Sequence, residues 1–355
     1  MTLIASFQRH PEGIFTVSDV MLSVDRPGPK LSVDFPQRRQ DFFRPSDGFR
    51  NAETNTSPVG MAQKAVVLDP NGMALWAGSR AVAYAVLKDL AGAYALAQRP
   101  SLEEVVQSSG VLRREADQVA IIAFLDHGDS IVQQVLHTKR LERSFGSIVY
   151  AGTGSYPGIL DIEEGALGGG LADLRRGYLN RLMMTLVGEL ITQDNADFSF
   201  GGWFELGQMG VGGTFSKIPY AVKLWLVDED QVFNGPALVF GYVEHDLIVF
   251  YLNQNAPAAR LPYLVPDFLR CSGRTSWHSE SPDQEHALEF HVIHFNDLKR
   301  TAILSLVGPQ RAITMEVRRG ALAWGVDPEF LKLLIRETRD GRPPGARLSR
   351  LSTWS

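Results

Sequence analysis

The sequence predicts an α+β protein in which two β-sheets are stacked between helical layers, a four-layer αββα sandwich, with an additional α/β extension at the C-terminal end. Three observations predict it. Short apolar or alternating runs bounded by turn residues recur along the chain. Two stretches, near 79–97 and 171–193, place apolar residues at spacings of three and four. The order is strands, helix pair, strands, helix, strands, which suits sheets in the middle and helices outside. With 355 residues, 45% of them hydrophobic, the chain can bury a sizeable core.

The elements follow in order. Residues 2–7 and 13–20 read as two strands around the turn His10-Pro11-Glu12-Gly13. The stretch 24–58 holds Pro27, Pro29, Pro36, Pro45 and Pro58 among many charges and reads as a loop insertion with a short strand at 31–35. Strands at 65–68 and 73–77 flank Asp69-Pro70-Asn71-Gly72. Ser79 caps a helix whose apolar positions are Val82, Val86, Leu87 and Leu90, and Ser101 with Glu104 forms a capping-box pattern for the next. Strands at 119–125, 130–135 and 147–151 come next. The second long helix, 171–193, carries Leu171, Leu174, Tyr178, Leu182, Leu186 and Leu190 on one stripe. Further strands are expected at 202–206, 221–227, 237–243, 247–252, 288–295, 301–306 and 313–317. Asp327-Pro328 opens a last helix, and 340–355 is a polar tail. The expected division is a domain over 1–255, with 24–58 as its insertion, and a C-terminal extension over 256–355.

Composition narrows the function. The net charge of −5 gives no reason to expect nucleic acid or a membrane surface as a partner. No apolar run approaches the roughly 18 residues of a membrane span. The start of the chain lacks the basic-then-apolar pattern of a secretory signal, so the mature chain is expected to begin at or beside Met1. The single cysteine, Cys271, permits no intrachain disulfide and no cysteine-based metal site, which suits a reducing cytoplasm.

Five segments in sequence order carry more information. Thr2-Leu3-Ile4-Ala5-Ser6 is followed by Gly13-Ile14-Phe15-Thr16-Val17-Ser18-Asp19. Lys64 then opens a strand–turn–strand run that ends in Ala77-Gly78. Ala151-Gly152-Thr153-Gly154-Ser155 forms a glycine-flanked hydroxyl turn, and Asp197-Phe198-Ser199-Phe200-Gly201-Gly202 follows the long helix. Over roughly residues 1–205 this set resembles the proteasome β-subunits and the related bacterial ATP-dependent ring peptidase, within the N-terminal-nucleophile hydrolases. In the bacterial relative, too, the threonine directly follows the initiator methionine. The sequence departs from the family in its long 24–58 insertion, in Thr153 standing where serine is usual, in a serine displaced by one position before Gly201-Gly202, and in its C-terminal third.

The resemblance implies a set of roles. Thr2 would be the nucleophile once Met1 is removed, with its own α-amino group, of ordinary pKa roughly 7.7–8, as base. Lys64 would place a cation near the hydroxyl, and Asp19 would pair with Lys64. The Gly78 N–H would face the oxyanion of the tetrahedral intermediate. Asp197, with Ser199 or Thr153, would complete the hydrogen bonding around the amine. No cofactor and no metal enter this chemistry. The implied substrate is a peptide or protein, the implied assembly a homo-oligomer such as a ring, and an implied partner an ATP-dependent unfoldase. Two rivals stay open: a catalytically inactive binding or assembly protein, and an amidase for a small molecule.

Plainer readings apply elsewhere. Taken singly, Thr2, Asp19 and Lys64 are ordinary strand-end residues, and only their joint placement argues for a site. Gly152-Thr153-Gly154 with Gly158 lacks the spacing and the second βα unit of a dinucleotide loop. Gly168-Gly169-Gly170 is a flexible lead-in to the helix. His291 and His294, three apart on a strand, point to opposite faces and make no metal pair.

Overall fold

The computed structural model describes residues 2–9, 13–24, 57–69, 72–109, 112–128, 130–143, 146–152, 187, 203–209, 214–229, 231–243, 245–252, 263–265, 267–269, 288–297, 300–307, 312–318, 321–328, 330, 332 and 336. It divides into two compact units, one of Met1–Ile218 with Val265–Arg274 and the other of Pro219–Leu264 with Thr275–Ser355.

In the first unit the strands are β1 (Ile4–Arg9), β2 (Gly13–Asp19), β3 (Met21–Val24), β4 (Ser57–Met61), β5 (Ala65–Asp69), β6 (Gly72–Gly78), β7 (Val119–Asp126), β8 (Ile131–Leu136), β9 (Lys139–Arg143), β10 (Gly146–Ala151), β11 (Phe204–Met209) and β12 (Phe215–Lys217). The helices are α1 (Arg80–Ala95), α2 (Leu102–Ser108) and the single turn α3 (Leu112–Glu115). One six-stranded sheet has the order β12-β11-β2-β1-β10-β9, a four-stranded sheet the order β5-β6-β7-β8, and β3 pairs with β4.

These two sheets share a core because their strands alternate. Met73, Leu75, Ala77, Ile122 and Phe124 on one sheet meet Ile4, Ile14, Val149, Ala151 and Phe215 on the other. The intervening residues Ala74, Trp76, Ile121, Ala123 and Leu125 point the opposite way, into a second cluster with Val82, Val86, Leu87 and Leu90 of α1 and Leu102, Val105 and Val106 of α2. β5, β6 and β7 are thus buried on both faces, which explains why they read as continuous apolar runs, whereas the edge strand β8 (IVQQVL) is only partly buried. The capping box of α2 is formed, with Ser101 Oγ accepting from the Glu104 N–H at 3.1 Å and Glu104 accepting from the Ser101 N–H at 2.6 Å.

The second unit contains β13 (Tyr220–Asp228), β14 (Gln231–Val243), β15 (Asp246–Leu252), β16 (Tyr263–Val265, whose last residue is counted with the first unit), β17 (Leu288–Phe295), β18 (Arg300–Val307), β19 (Ile313–Arg318) and β20 (Ala321–Val326). Its six-stranded sheet runs β16-β15-β14-β13-β17-β18, with β13 and β17 parallel and the pairs β13–β14, β14–β15 and β17–β18 antiparallel, and β19 pairs with β20. Strands on both sides of residue 255 therefore share one sheet. A bulge sits in the β13–β14 pair between Lys223 and Trp225.

The expected αββα sandwich is corrected by this architecture. The described residues are dominated by antiparallel strands, and α1 and α2 are the helices among them longer than one turn. Both pack on the same sheet. The chain is a β-rich fold, and the expected α/β extension is represented by the strands β17 to β20. The physical reason is that periodicity reports which face of a strand is apolar but not what covers it. Element order alone carries the expectation of a second helical layer. Of the helix read over 171–193, only Val187 is described, buried and helical; the rest, with residues 25–56 of the expected loop, lies outside the described residues, while Val24 and Ser57–Pro58 fall in the paired strands β3 and β4. Among the described residues no helix is long and apolar enough to cross a membrane.

Candidate functional site

The end of β2 and the start of β1 build the centre of the site. β1 and β2 pair antiparallel with Ile4 opposite Ser18. One residue beyond, the Asp19 N–H donates to the Leu3 carbonyl at 3.0 Å, and the Leu3 N–H donates to Asp19 Oδ1 at 3.0 Å. The backbone beside Thr2 is thereby clamped to the Asp19 carboxylate. Thr2 itself is 4% exposed.

The same Oδ1 accepts from Lys64 Nζ at 2.6 Å, and both side chains are fully buried. Lys64 lies just before β5, where its carbonyl accepts from the Trp76 N–H at 3.1 Å. Burial holds the Lys64 ammonium below its ordinary pKa, while Asp19 first and Glu205 second pull it back up. Lys64 thus sits in an apolar place beside two acids, and its proton is easier to remove than that of a surface lysine.

Gly78 ends β6 two residues after Trp76. It has φ +99°, and a Cβ there would lie 2.2 Å from the Gln118 carbonyl oxygen, which accepts from the Ser79 N–H at 2.8 Å. Only glycine can make this turn into α1 without strain. Thr153, Asp197 and Ser199 lie outside the described residues. The structure thus brings Asp19, Lys64 and the backbone at Thr2–Leu3 together and sets Gly78 on the strand bonded to Lys64.

No protein-family model matches the chain, and no curated protein matches it in sequence.

Three residues of this region, Glu205, Lys217 and Gln63, were not singled out from the sequence. Glu205, on β11, is fully buried and accepts from the Lys64 N–H at 2.7 Å and the Ala65 N–H at 3.1 Å. Lys217, on β12, pairs with Glu205 at 3.0 Å and donates to Gln63 Oε1. Gln63 in turn donates to the Val265 carbonyl at 2.7 Å. Gly152, at φ +100°, lies so close to the first strand that a Cβ would stand 1.7 Å from the Thr2 carbonyl oxygen. The available signal for Glu205 was a lone charge inside the apolar run Trp203-Phe204-Glu205-Leu206. A charge buried in a strand calls for a partner.

In the second unit His291 and Glu289 are buried together, with His291 Nε2 2.5 Å from Glu289 Oε1 and Nδ1 accepting from Trp225 Nε1–H at 2.9 Å. Because Nδ1 accepts, the ring proton sits on Nε2 and is donated to Glu289. Glu289 also accepts from the Ala312 and Ile313 N–H groups. This histidine's hydrogen-bonding capacity is filled by side chains of the core.

Proposed function

We propose that the chain is an N-terminal-threonine hydrolase that cleaves amide bonds, peptide bonds above all, with Thr2 as nucleophile after removal of Met1. The observation that supports this best is the double use of Asp19 Oδ1, which accepts both from the N–H next to Thr2 and from Lys64 Nζ. A cation held at the end of the first strand is what a weak hydroxyl nucleophile needs.

In this reading the Thr2 hydroxyl adds to the amide carbonyl and gives its proton to the α-amino group. Lys64 stabilises the forming negative charge, and the Gly78 N–H faces the oxyanion. Collapse breaks the C–N bond, and the leaving amine takes up the proton. The ester left on Thr2 is then cleaved by water. Thr153, Asp197 and Ser199 are assigned to the hydrogen bonding of the amine through the family resemblance. The same reading carries a homo-oligomer such as a ring, an ATP-dependent unfoldase as partner and a cytoplasmic location.

The near-complete burial of Thr2 favours a second reading, a catalytically silent protein used for binding or assembly, in which the Asp19–Lys64 pair is structural. The deciding experiment combines intact mass with labelling by a threonine-directed epoxyketone or β-lactone. Loss of Met1 and addition of one inhibitor mass to the wild type, absent in Thr2→Ala, is the expected result. Equal labelling of both proteins, or hydrolysis that survives Thr2→Ala, would show that the nucleophile lies elsewhere. A retained Met1 without labelling selects the silent protein.

A further inference from the structure

The Glu205–Lys217 pair lies behind Lys64 and is not used by the proposed chemistry. Glu205 Oε2 accepts from two successive backbone N–H groups, Lys64 at 2.7 Å and Ala65 at 3.1 Å, and from Ser18 Oγ at 3.4 Å. Its other oxygen takes Lys217 Nζ at 3.0 Å. Lys217 also holds Gln63 Oε1, and the Gln63 carbonyl accepts from Trp76 Nε1–H at 3.1 Å. Three consecutive residues, Gln63, Lys64 and Ala65, are therefore fixed by one buried carboxylate and its counter-ion. Glu205 sits on β11 opposite Ser18, next to the Phe204–Asp19 pair. It thus joins the strand that carries Asp19 to the segment that carries Lys64, across the two sheets of the first unit.

We propose that Glu205 is a positioning residue of the Thr2 site: it fixes the backbone from which Lys64 reaches Asp19, and it supplies Lys64 with a second anion whose own charge is balanced by Lys217. A purely structural pair would tie the strands and leave the proton of Lys64 alone. A positioning residue must move it. The buried charges support the latter, since among the described residues Asp19 pairs with Lys64 and Glu205 with Lys217, and Glu205 acts to raise the Lys64 pKa against the effect of burial. The activity arm of the test rests on the reading of Thr2 as nucleophile; the titration arm does not.

The experiment compares wild type with the charge-neutral double variant Glu205→Gln/Lys217→Met, which removes the pair without leaving either partner unpaired. The Lys64 Cε and Nζ resonances, assigned by their loss in Lys64→Met, are titrated by NMR in the full chain. The Lys64 pKa is expected to fall further in the double variant, because the anion that raises it is gone. Thr2-dependent hydrolysis should fall roughly 100-fold in kcat with KM unchanged, since misplacement by an ångström has that effect, and its pH profile should shift with Lys64. An unmoved Lys64 titration in the folded double variant overturns the proposal, even if Thr2 proves to be the nucleophile. Hydrolysis that survives Thr2→Ala overturns the catalytic reading but not a shifted Lys64. Should the double variant fail to fold, Glu205→Gln alone is read the same way. Failure of both to fold, with an unmoved Lys64 titration in Ser18→Ala, also counts against the proposal.

Discussion

Among the described residues two lysines are fully buried, one in each compact unit, and they are accommodated in opposite ways. Lys64 is given an acid: Asp19 at 2.6 Å, with Glu205 bonded to its own backbone N–H. Lys223, on β13, is given rings and a carbonyl. Its Nζ lies 4.7 Å from the centre of the Trp225 ring and 5.1 Å from that of Trp324, and it donates to the Gly235 carbonyl. Among the described residues no carboxylate pairs with Lys223. Burial alone pushes its pKa down to about 7. One lysine is thus set against buried acids that oppose the effect of burial, and the other has only burial acting on it. The first arrangement is worth its desolvation only where a charge is used; the second needs nothing but the amphipathic reach of a lysine from a bulged strand.

The largest effect should come from breaking the first arrangement on one side only. Asp19→Ala leaves the Lys64 ammonium buried without its nearest acid and the Leu3 N–H without its acceptor. The expected loss is about 3–5 kcal/mol. The double change Asp19→Leu/Lys64→Met removes both charges and should recover most of it. Urea denaturation of the three proteins checks this. Equal instability of the single and double variants would mean that packing, not charge, is what Asp19 supplies.

The second effect concerns Lys223 and has a definite sign. Its folded pKa of about 7 lies below the unfolded value near 10.5. Between those values the unfolded chain binds more protons, so stability rises as pH is raised from about 7 towards 10, by a few kcal/mol in all. Below about 7 the group is protonated in both states and contributes no further slope. Lys64 has the same sign, being depressed as well. The difference between wild type and Lys223→Met isolates Lys223: the variant should be more stable at neutral pH and lose part of the alkaline rise. Parallel pH curves for the two proteins would remove the contrast between the lysines.

How much of this was legible follows from the two lysines themselves. Lys64 could be singled out because its place before a strand–turn–strand run ending in Gly78 fits a pattern, and the Asp19 partner could be named with it. β1, β2, β5, β6 and α1 were legible because each carries a local signal: a turn, an alternation, a cap. Lys223 passed unnoticed inside Ala221-Val222-Lys223-Leu224-Trp225, since nothing local shows that a strand's charged residue faces inward. Glu205 was hidden for the same reason. Its partners come from residues 18, 64, 65 and 217, and pairings at such separation leave no periodicity. The helical layer expected on both outer faces failed similarly, because sheet partners and coverings are tertiary facts.

A smaller effect should follow at the edge of the site. Gly152→Ala would place a methyl 1.7 Å from the Thr2 carbonyl oxygen, at a backbone φ of +100°. The backbone must shift, at a cost of about 1–3 kcal/mol. Because the displaced residue is Thr2, labelling by the threonine-directed electrophile should fall by more than the stability loss accounts for, while the Lys223 titration stays put. Undiminished labelling in the folded variant would show that Thr2 need not be held where it is.

The smallest effect serves as the control for both lysines. Ser101→Ala removes the hydroxyl that accepts the Glu104 N–H and breaks one half of the α2 capping box. Loss of such a cap costs about 1 kcal/mol. The residue is on the helical side of the four-stranded sheet, where α2 packs through Leu102, Val105 and Val106, and it touches neither lysine cluster. The variant should therefore lower the thermal midpoint slightly while leaving both the Lys64 and the Lys223 titrations unchanged. The carboxylate of Glu104, now held below its usual pKa chiefly by the Ser101 N–H and then by the hydroxyl, should rise towards the ordinary range but remain below it, since the N–H is retained. NMR titration of Glu104 and the two lysines in the same sample reads all three. A shift of either lysine on loss of this exposed hydroxyl would mean that their pKa values report general loosening of the fold, and the contrast between a paired and an unpaired buried lysine would lose its local explanation.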